Sequence, residues 1–122
     1  MSKPVDIKEL ADRLREFGSA YLTTIGEGDR IHTVPVNPVM GDAGLSVAGL
    51  GRRTQANATA RPGVCLVWPP REANGYSLIV DGTALLDGNT LRLTPTRAIL
   101  HKAALADVVA EGDACVADCV EI

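Results

Sequence analysis

The sequence predicts a mainly β protein, a six-stranded antiparallel barrel with two flanking helices in one domain. The chain has 122 residues, a length typical of a single domain that buries its own core. Its strand-forming segments are short and are joined by turns rich in Gly, Asp and Asn, as in hairpins. No strand–helix–strand unit repeats, which favours a barrel over a doubly wound parallel sheet. We expect a helix over 1–18, the barrel over 19–100 and a tail over 101–122.

The first helix is predicted from apolar side chains that recur at helical spacing between residues 6 and 17. These side chains are Ile7, Leu10, Ala11, Leu14 and Phe17. Asp6 and Glu9 have the spacing of a capping box at the start of this helix, and Gly18 ends it.

A hairpin is predicted next, with strands over 19–25 and 31–36 joined by the turn sequence Gly-Glu-Gly-Asp-Arg. Pro35 lies in the second strand and cannot donate a ladder hydrogen bond. This strand is therefore expected at an edge of the sheet, or interrupted beside a ligand.

The second half of the chain predicts a helix between two groups of strands. Predicted strands cover 45–50, 64–68, 76–86 and 90–95, and the helix runs from Arg52 to just before Pro62. A bulge is expected at Asp81-Gly82, and residues 87–89 predict a hairpin turn. Residues 96–100 can continue the last strand, whereas the tail has no clear period.

Composition and charge exclude several classes of protein. The net charge of −3 argues against a general nucleic-acid binder, which needs a broad basic face. No run of about 18 apolar residues and no apolar core of a signal peptide is present, so we expect a cytoplasmic protein without a membrane partner. The three cysteines form no even disulfide framework, and Cys65 is expected to be a buried thiol in a reducing compartment.

The junction between the strand over 45–50 and the following helix has the features of an anion-binding corner. Gly49 and Gly51 leave space for close approach of a ligand. Arg52, Arg53 and Thr54 then lie at the helix start, where unpaired N–H groups and guanidinium groups can converge on a phosphate. Taken alone, two arginines at a helix start are more often solvated charges. The strand-to-helix junction, with Thr54 beside the two arginines, favours a phosphate contact here.

This succession of segments resembles the pyridoxamine 5'-phosphate oxidase-like split-barrel flavoproteins over most of residues 6–95. The matching segments are the strands 31–36 and 45–50, the turn 51–54, the helix 57–62, and the strand 64–68 that ends in tryptophan. The strand from Tyr76-Ser77 to Asp81-Gly82 also resembles one that begins near the flavin. The resemblance implies a split barrel of the type that binds flavin mononucleotide (FMN).

The resemblance also implies which residues bind the cofactor. They are His32, Thr33, Val34, Val47, Ala48, Arg52, Arg53, Thr54, Asn57, Trp68 and Ser77. Arg53 falls on the family's basic phosphate position, but Thr54 stands where lysine is usual. His32 stands near a usual arginine, and Ser77 replaces a glutamine. FMN is therefore the first candidate, with the deazaflavin coenzyme, haem or no cofactor as alternatives.

The function that this resemblance implies is hydride transfer to or from a small conjugated or heteroaromatic substrate, by a homodimer with FMN at the subunit interface. No catalytic side chain is assigned, because the flavin ring itself accepts the hydride. Two other classes stay open: a non-enzymatic carrier or sensor of flavin, deazaflavin or haem, and a structural barrel with a vestigial pocket.

Several of these residues have simpler interpretations. His32 can be a strand-surface histidine, and Trp68 can belong to the core or to a dimer interface. Cys115 and Cys119, with His101 nearby in sequence, offer only three candidate metal ligands. Since zinc sites usually need four, free thiols or a disulfide are favoured over a metal.

Overall fold

The structure, a computed structural model, describes residues 2–42 and 44–103. Most of these residues lie in one antiparallel sheet of eight strands. The strands are β1 (Ser2–Pro4), β2 (Ala20–Ile25), β3 (Ile31–Val36), β4 (Val39–Gly41), β5 (Gly44–Val47), β6 (Gly63–Trp68), β7 (Ser77–Asp87) and β8 (Thr90–His101). The helices are α1 (Leu10–Leu14) and α2 (Arg52–Ala60), and short 3-10 turns cover Ile7–Glu9 and Glu27–Asp29.

The strands follow the order β3-β2-β6-β7-β8-β5-β4 across the sheet. Strand β8 pairs with β7 along one edge, while its other edge pairs with β5 in its first half and with β1 in its second half. Within the described residues no pairing joins β3 to β4. The barrel is therefore split between these two strands.

Alternation along the strands places one set of side chains inside the barrel. Leu22 of β2, Leu66 of β6 and Leu93 of β8 are fully buried and belong to a single core cluster. A leucine buried in this way stabilises the fold by roughly 1.5–3 kcal/mol. One continuous apolar inner face thus forms the core and explains why the sheet curls on itself.

Helix α2 packs against β2 and β7 through one face. Thr54, Asn57 and Ala58 form this face at helical spacing, and all three are buried. Asn57 Nδ2 donates a hydrogen bond of 3.1 Å to Thr24 Oγ1 on the inner side of β2. This bond satisfies two buried polar groups and sets the position of the helix relative to the hairpin.

The prediction of six strands was wrong in number, because the sheet has eight. The two additional strands, β1 and β4, are only three residues long. The first helix is also shorter than predicted. A 3-10 turn precedes the five residues of α1, and Asp6 Oδ1 accepts a hydrogen bond of 3.0 Å from the Lys8 N–H instead of completing a full capping box.

Other predicted elements are confirmed. β3 is an edge strand, as predicted from Pro35. The ladder between β7 and β8 changes register between Asp81 and Gly82, as expected for a bulge. The last strand continues to His101, so residues 96–100 belong to it.

No helix in the described part of the chain is long and apolar enough to cross a membrane. Residues 2–42 and 44–103 also contain no group of three or more His, Cys, Asp or Glu side chains arranged to hold a metal. Cys115 and Cys119 lie outside the described residues, so their assignment as free thiols or a disulfide, without metal, stays a prediction.

Cys65 lies on the outer face of β6, beside the ion pair between Asp81 and Arg97, whose atoms are 2.9 Å apart. Burial, followed by the hydrogen bond and negative charge of Asp81, raises the pKa of the Cys65 thiol to about 11, although Arg97 opposes the shift. The reactive thiolate is then scarce near neutral pH.

We expect Cys65 to be alkylated at pH 8 about 10- to 100-fold more slowly in the folded than in the unfolded protein, because its raised pKa leaves less of the thiol as the reactive thiolate. Mass spectrometry of the Cys65 peptide during iodoacetamide labelling measures the rate. Urea-unfolded protein is the control and should react at the ordinary rate. Equal rates in folded and unfolded protein would contradict the expectation.

Candidate functional site

A cavity of about 600 Å³ opens between β3 and the segment that leads into α2. Six of the residues predicted to bind a cofactor line it: His32, Val34, Ala48, Arg52, Arg53 and Thr54. They come from two separate stretches of chain, 32–34 and 48–54, which the fold brings together at the split of the barrel.

Strand β3 contributes His32 and Val34 through its alternation. These residues pair with Thr24 and Leu22, both of which are buried on the inner side of β2. Because β3 is an edge strand, its inner face is covered only in part, and both side chains are half-buried. They form the wall of the cavity opposite the helix start.

The segment before α2 is fixed by two hydrogen bonds. The Leu50 N–H donates to the Asn89 carbonyl at 3.1 Å, and Gln55 Nε2 donates to the Leu50 carbonyl at 2.7 Å. Gly49 has a φ of 71°, a conformation that other residues rarely adopt. The backbone that borders the cavity is thus held from the β7–β8 hairpin on one side and from the helix on the other.

The start of α2 supplies unpaired donors to the same cavity. The first hydrogen bond of the helix runs from the Gln55 N–H to the Gly51 carbonyl at 3.0 Å, and no side chain in the described part of the chain caps the helix. The N–H groups of Arg52, Arg53 and Thr54 precede this bond and have no intrahelical acceptor. A partial positive charge therefore lies at this end of the cavity.

The charged side chains that line this cavity, Arg52 and Arg53, are both basic. Across residues 2–42 and 44–103, neither Arg52 nor Arg53 takes part in an ion pair, and no Asp or Glu lines the cavity. Guanidinium groups without a carboxylate partner, beside free helix N–H groups, favour an anionic ligand such as a phosphate.

A second cavity of about 450 Å³ adjoins the first. His32 and Arg53 line both cavities. Asn57, also predicted to bind a cofactor, lines only the second, together with Arg30 and Glu27 of the β2–β3 turn.

Four predicted residues do not line either cavity. Val47 and Trp68 are core side chains that are 1% and 2% exposed. Thr33 lies on the outer face of β3, where its Oγ1 is 3.1 Å from Thr23 Oγ1. Ser77 begins β7 and pairs with His101 in the neighbouring strand. Their contact with a cofactor stays a prediction.

Sequence analysis missed three residues that shape the site. Arg30 and Glu27 belong to a turn that was interpreted only as a connection, and Gln55 was not assigned a role. Spacing could have identified Arg30, because residues 30, 32 and 34 alternate onto one face of an extended chain. The contact from Gln55 to Leu50 left no comparable signal in the sequence.

Comparison with other proteins identifies close relatives. Two mycobacterial proteins, "Uncharacterized protein Mb0449c" of Mycobacterium bovis and "Uncharacterized protein MT0457" of Mycobacterium tuberculosis, are each 40% identical to this chain over 135 aligned positions. Each alignment covers 98% of this chain and 95% of the relative. No protein-family model matches the chain.

Solved structures of similar architecture are more distant in sequence. A Listeria innocua protein, provisionally named a pyridoxamine 5'-phosphate oxidase, has a TM-score of 0.66 at 13% identity, over 80% of this chain and 98% of its own. The FAD binding protein from Mycobacterium smegmatis has a TM-score of 0.61 at 17% identity, over 84% and 100%. HutZ, the haem storage protein from Vibrio cholerae, has a TM-score of 0.60 at 14% identity, over 78% and 93%. At these identities the likeness shows a shared fold and confirms the predicted split barrel.

Proposed function

Because this chain belongs to the family of the two mycobacterial proteins and has the pyridoxamine 5'-phosphate oxidase-like split-barrel fold, we propose that it is a homodimeric, FMN-dependent oxidoreductase acting on a small molecule. The observation that supports this proposal best is the 600 Å³ cavity, where the start of α2 lies beside two arginines that form no ion pair with any described residue. The FAD binding protein from Mycobacterium smegmatis, which shares the fold, supports a flavin as the class of cofactor.

The residues of the cavity fit the two ends of FMN. Arg53, Arg52 and the free N–H groups at the start of α2 can bind the phosphate, with Thr54 beside them. Val34, Ala48 and Leu50 offer an apolar wall to a flat ring. When bound, FMN supplies hydride transfer, and the side chains of this chain bind the cofactor, orient it and exclude water.

Titration of the purified protein with FMN tests the proposal, with quenching of flavin fluorescence as the signal. A saturable complex is expected, followed by anaerobic reoxidation of the reduced complex by conjugated or heteroaromatic compounds. Failure to bind FMN would contradict the proposal. A stable complex that no such compound reoxidises would favour a flavin carrier instead.

A haem carrier is a second candidate, and His32 is the observation that favours it. This imidazole lines both cavities, and histidine is a common axial ligand of haem iron. The absorption spectrum separates the candidates, because haem gives an intense Soret band and flavin and deazaflavin give weaker bands at their own wavelengths. A Soret band that is lost in His32→Ala would replace the FMN proposal with this one.

The outer face of the sheet supports the homodimer. Tyr21, Ile25 and Ile31 project from β2 and β3 and are 46%, 40% and 71% exposed. The register of the ladder places Val67 and Ile79 on the same face of β6 and β7. The row of Thr23, Thr33 and Cys65 separates Ile25 and Ile31 from the other three side chains, so this face carries two apolar patches. Exposed apolar patches on one face of a sheet support an interface between subunits.

We expect the protein to sediment as a dimer at micromolar concentration, and Ile31→Lys to shift it to the 12.8 kDa monomer. A charge placed on this apolar surface must be desolvated without a partner when the dimer forms. Analytical ultracentrifugation measures the shift. Leu85→Lys is the matched control, since Leu85 is also 71% exposed but lies beside Arg92 at the far end of β7. A monomeric wild type would contradict the expectation.

A further inference from the structure

A separate cavity of about 270 Å³ lies beside α1, and we call it the α1 cavity. It is lined by α1 and the turn after it, by the loop between β6 and β7, and by Leu100 of β8. None of its lining residues is shared with the two cavities beside α2. A ligand bound here would therefore not compete with a cofactor bound at the start of α2.

The inner wall of the α1 cavity is apolar. Leu100 is buried, and Phe17 and Tyr76 are half-buried side chains that pack against the core. All three line the cavity. Two aromatic rings beside a leucine favour a flat apolar group. Since drug-sized ligands occupy about 300–1,000 Å³, the volume of about 270 Å³ suits a ligand with a single ring.

Two lysines hold the ring of Tyr76 in this wall. Lys3 Nζ lies 5.1 Å from the ring centroid, and Lys102 Nζ lies 5.5 Å from it. Both distances are within the range of about 6 Å in which an aromatic ring attracts a cation. Lys3 belongs to β1 and Lys102 follows β8, so the ring is held from two paired strands. A wall that is formed before the ligand arrives lowers the entropic cost of binding.

The loop between β6 and β7 brings two opposite charges to the α1 cavity. Arg71 and Glu72 are exposed and line it, and neither forms an ion pair with another described residue. A hydrogen bond of 2.9 Å from the Gly75 N–H to the Glu72 carbonyl closes this loop. A Cβ at position 75 would lie 3.3 Å from that carbonyl oxygen and 3.3 Å from Pro70 Cβ. Glycine thus permits the tight turn that keeps both charges at the cavity.

The other two charged side chains of the α1 cavity neutralise each other. Arg13 Nη1 lies 3.2 Å from Glu16 Oε2, so this pair offers little net charge to a ligand. Arg71 and Glu72 are the lining charges that a ligand can pair with. A simple anion would be repelled by Glu72, and a simple cation would be repelled by Arg71. A zwitterion can pair with both.

We propose that the α1 cavity binds a free aromatic amino acid, with the ring of the ligand against Phe17 and Tyr76. In this arrangement Arg71 donates hydrogen bonds to the α-carboxylate, whose two oxygens match the guanidinium fork. Glu72 accepts hydrogen bonds from the α-ammonium group. This site goes beyond the proposed flavin function and does not depend on it.

Titration of the ¹⁵N-labelled full chain with L-phenylalanine tests the proposal, with the NMR shifts of the backbone amides as the readout. We expect saturable shifts within residues 13–17 and 71–76 and a dissociation constant on the order of 1 mM. Phenethylamine lacks the carboxylate and should bind about 10-fold more weakly. 3-Phenylpropionate lacks the ammonium group and should bind about threefold more weakly, since an exposed ion pair contributes less.

Variants of the two charged residues assign the two ends of the ligand. Arg71→Ala should weaken binding of L-phenylalanine about 10-fold and should not weaken binding of phenethylamine, which also shows that the cavity is intact. Glu72→Gln should weaken L-phenylalanine about threefold and should not weaken 3-phenylpropionate. Arg15→Ala is the matched control, because Arg15 is exposed but does not line the α1 cavity.

Three outcomes would overturn the proposal. The first is no binding of L-phenylalanine by the wild type at millimolar concentration, and the second is a set of shifts confined to the amides beside α2. The third is equal binding of L-phenylalanine and benzyl alcohol, which would show that the cavity recognises a ring without its charged groups. Each of these results leaves the FMN proposal in place, because FMN binding is measured in a separate titration.

Discussion

Arg53→Ala is expected to weaken FMN binding by about 10- to 100-fold, which corresponds to roughly 1.4–2.7 kcal/mol. A guanidinium group can donate two hydrogen bonds to phosphate oxygens, and charge-assisted bonds of this kind contribute about 1.5–3 kcal/mol each. Binding should not vanish, since the free N–H groups at the start of α2 remain. The fold should be unaffected, because Arg53 is exposed and forms no ion pair with another described residue.

Riboflavin provides the internal control, because it has the ring of FMN without the phosphate. Its affinity should be nearly the same for wild type and Arg53→Ala. Arg61→Ala is the matched variant, since Arg61 follows the same helix at its other end and lines neither cavity. Equal weakening of riboflavin and FMN would place the phosphate elsewhere, and His32 would then be the next candidate.

Gly82→Ala is expected to lower the free energy of unfolding by about 3 kcal/mol and the Tm by roughly 10 °C. A Cβ at position 82 would lie 2.5 Å from Leu93 Cδ2, 2.8 Å from Leu93 Cγ and 2.5 Å from the Thr94 carbonyl oxygen. The carbonyl belongs to the paired strand β8 and cannot move without breaking the ladder. Urea denaturation and differential scanning calorimetry measure the two quantities.

Gly63→Ala is the control for this prediction. Gly63 also lies in a strand, but a Cβ there meets no atom within 4 Å. The free energy of unfolding of Gly63→Ala should therefore differ little from that of the wild type. The double variant Gly82→Ala/Leu93→Ala should be less destabilised than the sum of the two single variants, because one clash is removed. Additive losses, or equal stability of Gly82→Ala and Gly63→Ala, would contradict the prediction and would show that the backbone at the bulge moves to accommodate the Cβ.

The parts of the fold that could be predicted from sequence depend on signals within a few residues of each other. The bulge at Asp81-Gly82 and the start of α2 at Arg52 belong to this group, since glycine and turn residues mark them directly. Strands β1 and β4 were missed because three residues give no periodicity. They exist only through pairing with strands distant in the chain, such as β8 for β1.

The same distinction applies to the candidate site. Arg52, Arg53 and Thr54 could be identified because they are consecutive at a helix start. Arg30 could not be placed beside Arg53 without knowing that β3 lies at the split of the barrel. For Trp68, strand alternation leaves two faces possible, and only packing of the whole sheet decided that its side chain enters the core.

The position of β8 has a consequence for synthesis of the chain. This strand is the partner of β1, β5 and β7, yet it is the last strand of the described fold to leave the ribosome. Until it emerges, the edges of these three earlier strands that pair with β8 have no ladder partner. Ser2 pairs with His101, so the ladder joins residues nearly a hundred positions apart. Such long-range pairing slows folding and leaves apolar strands exposed in the nascent chain, so the barrel closes only after translation of β8 is complete.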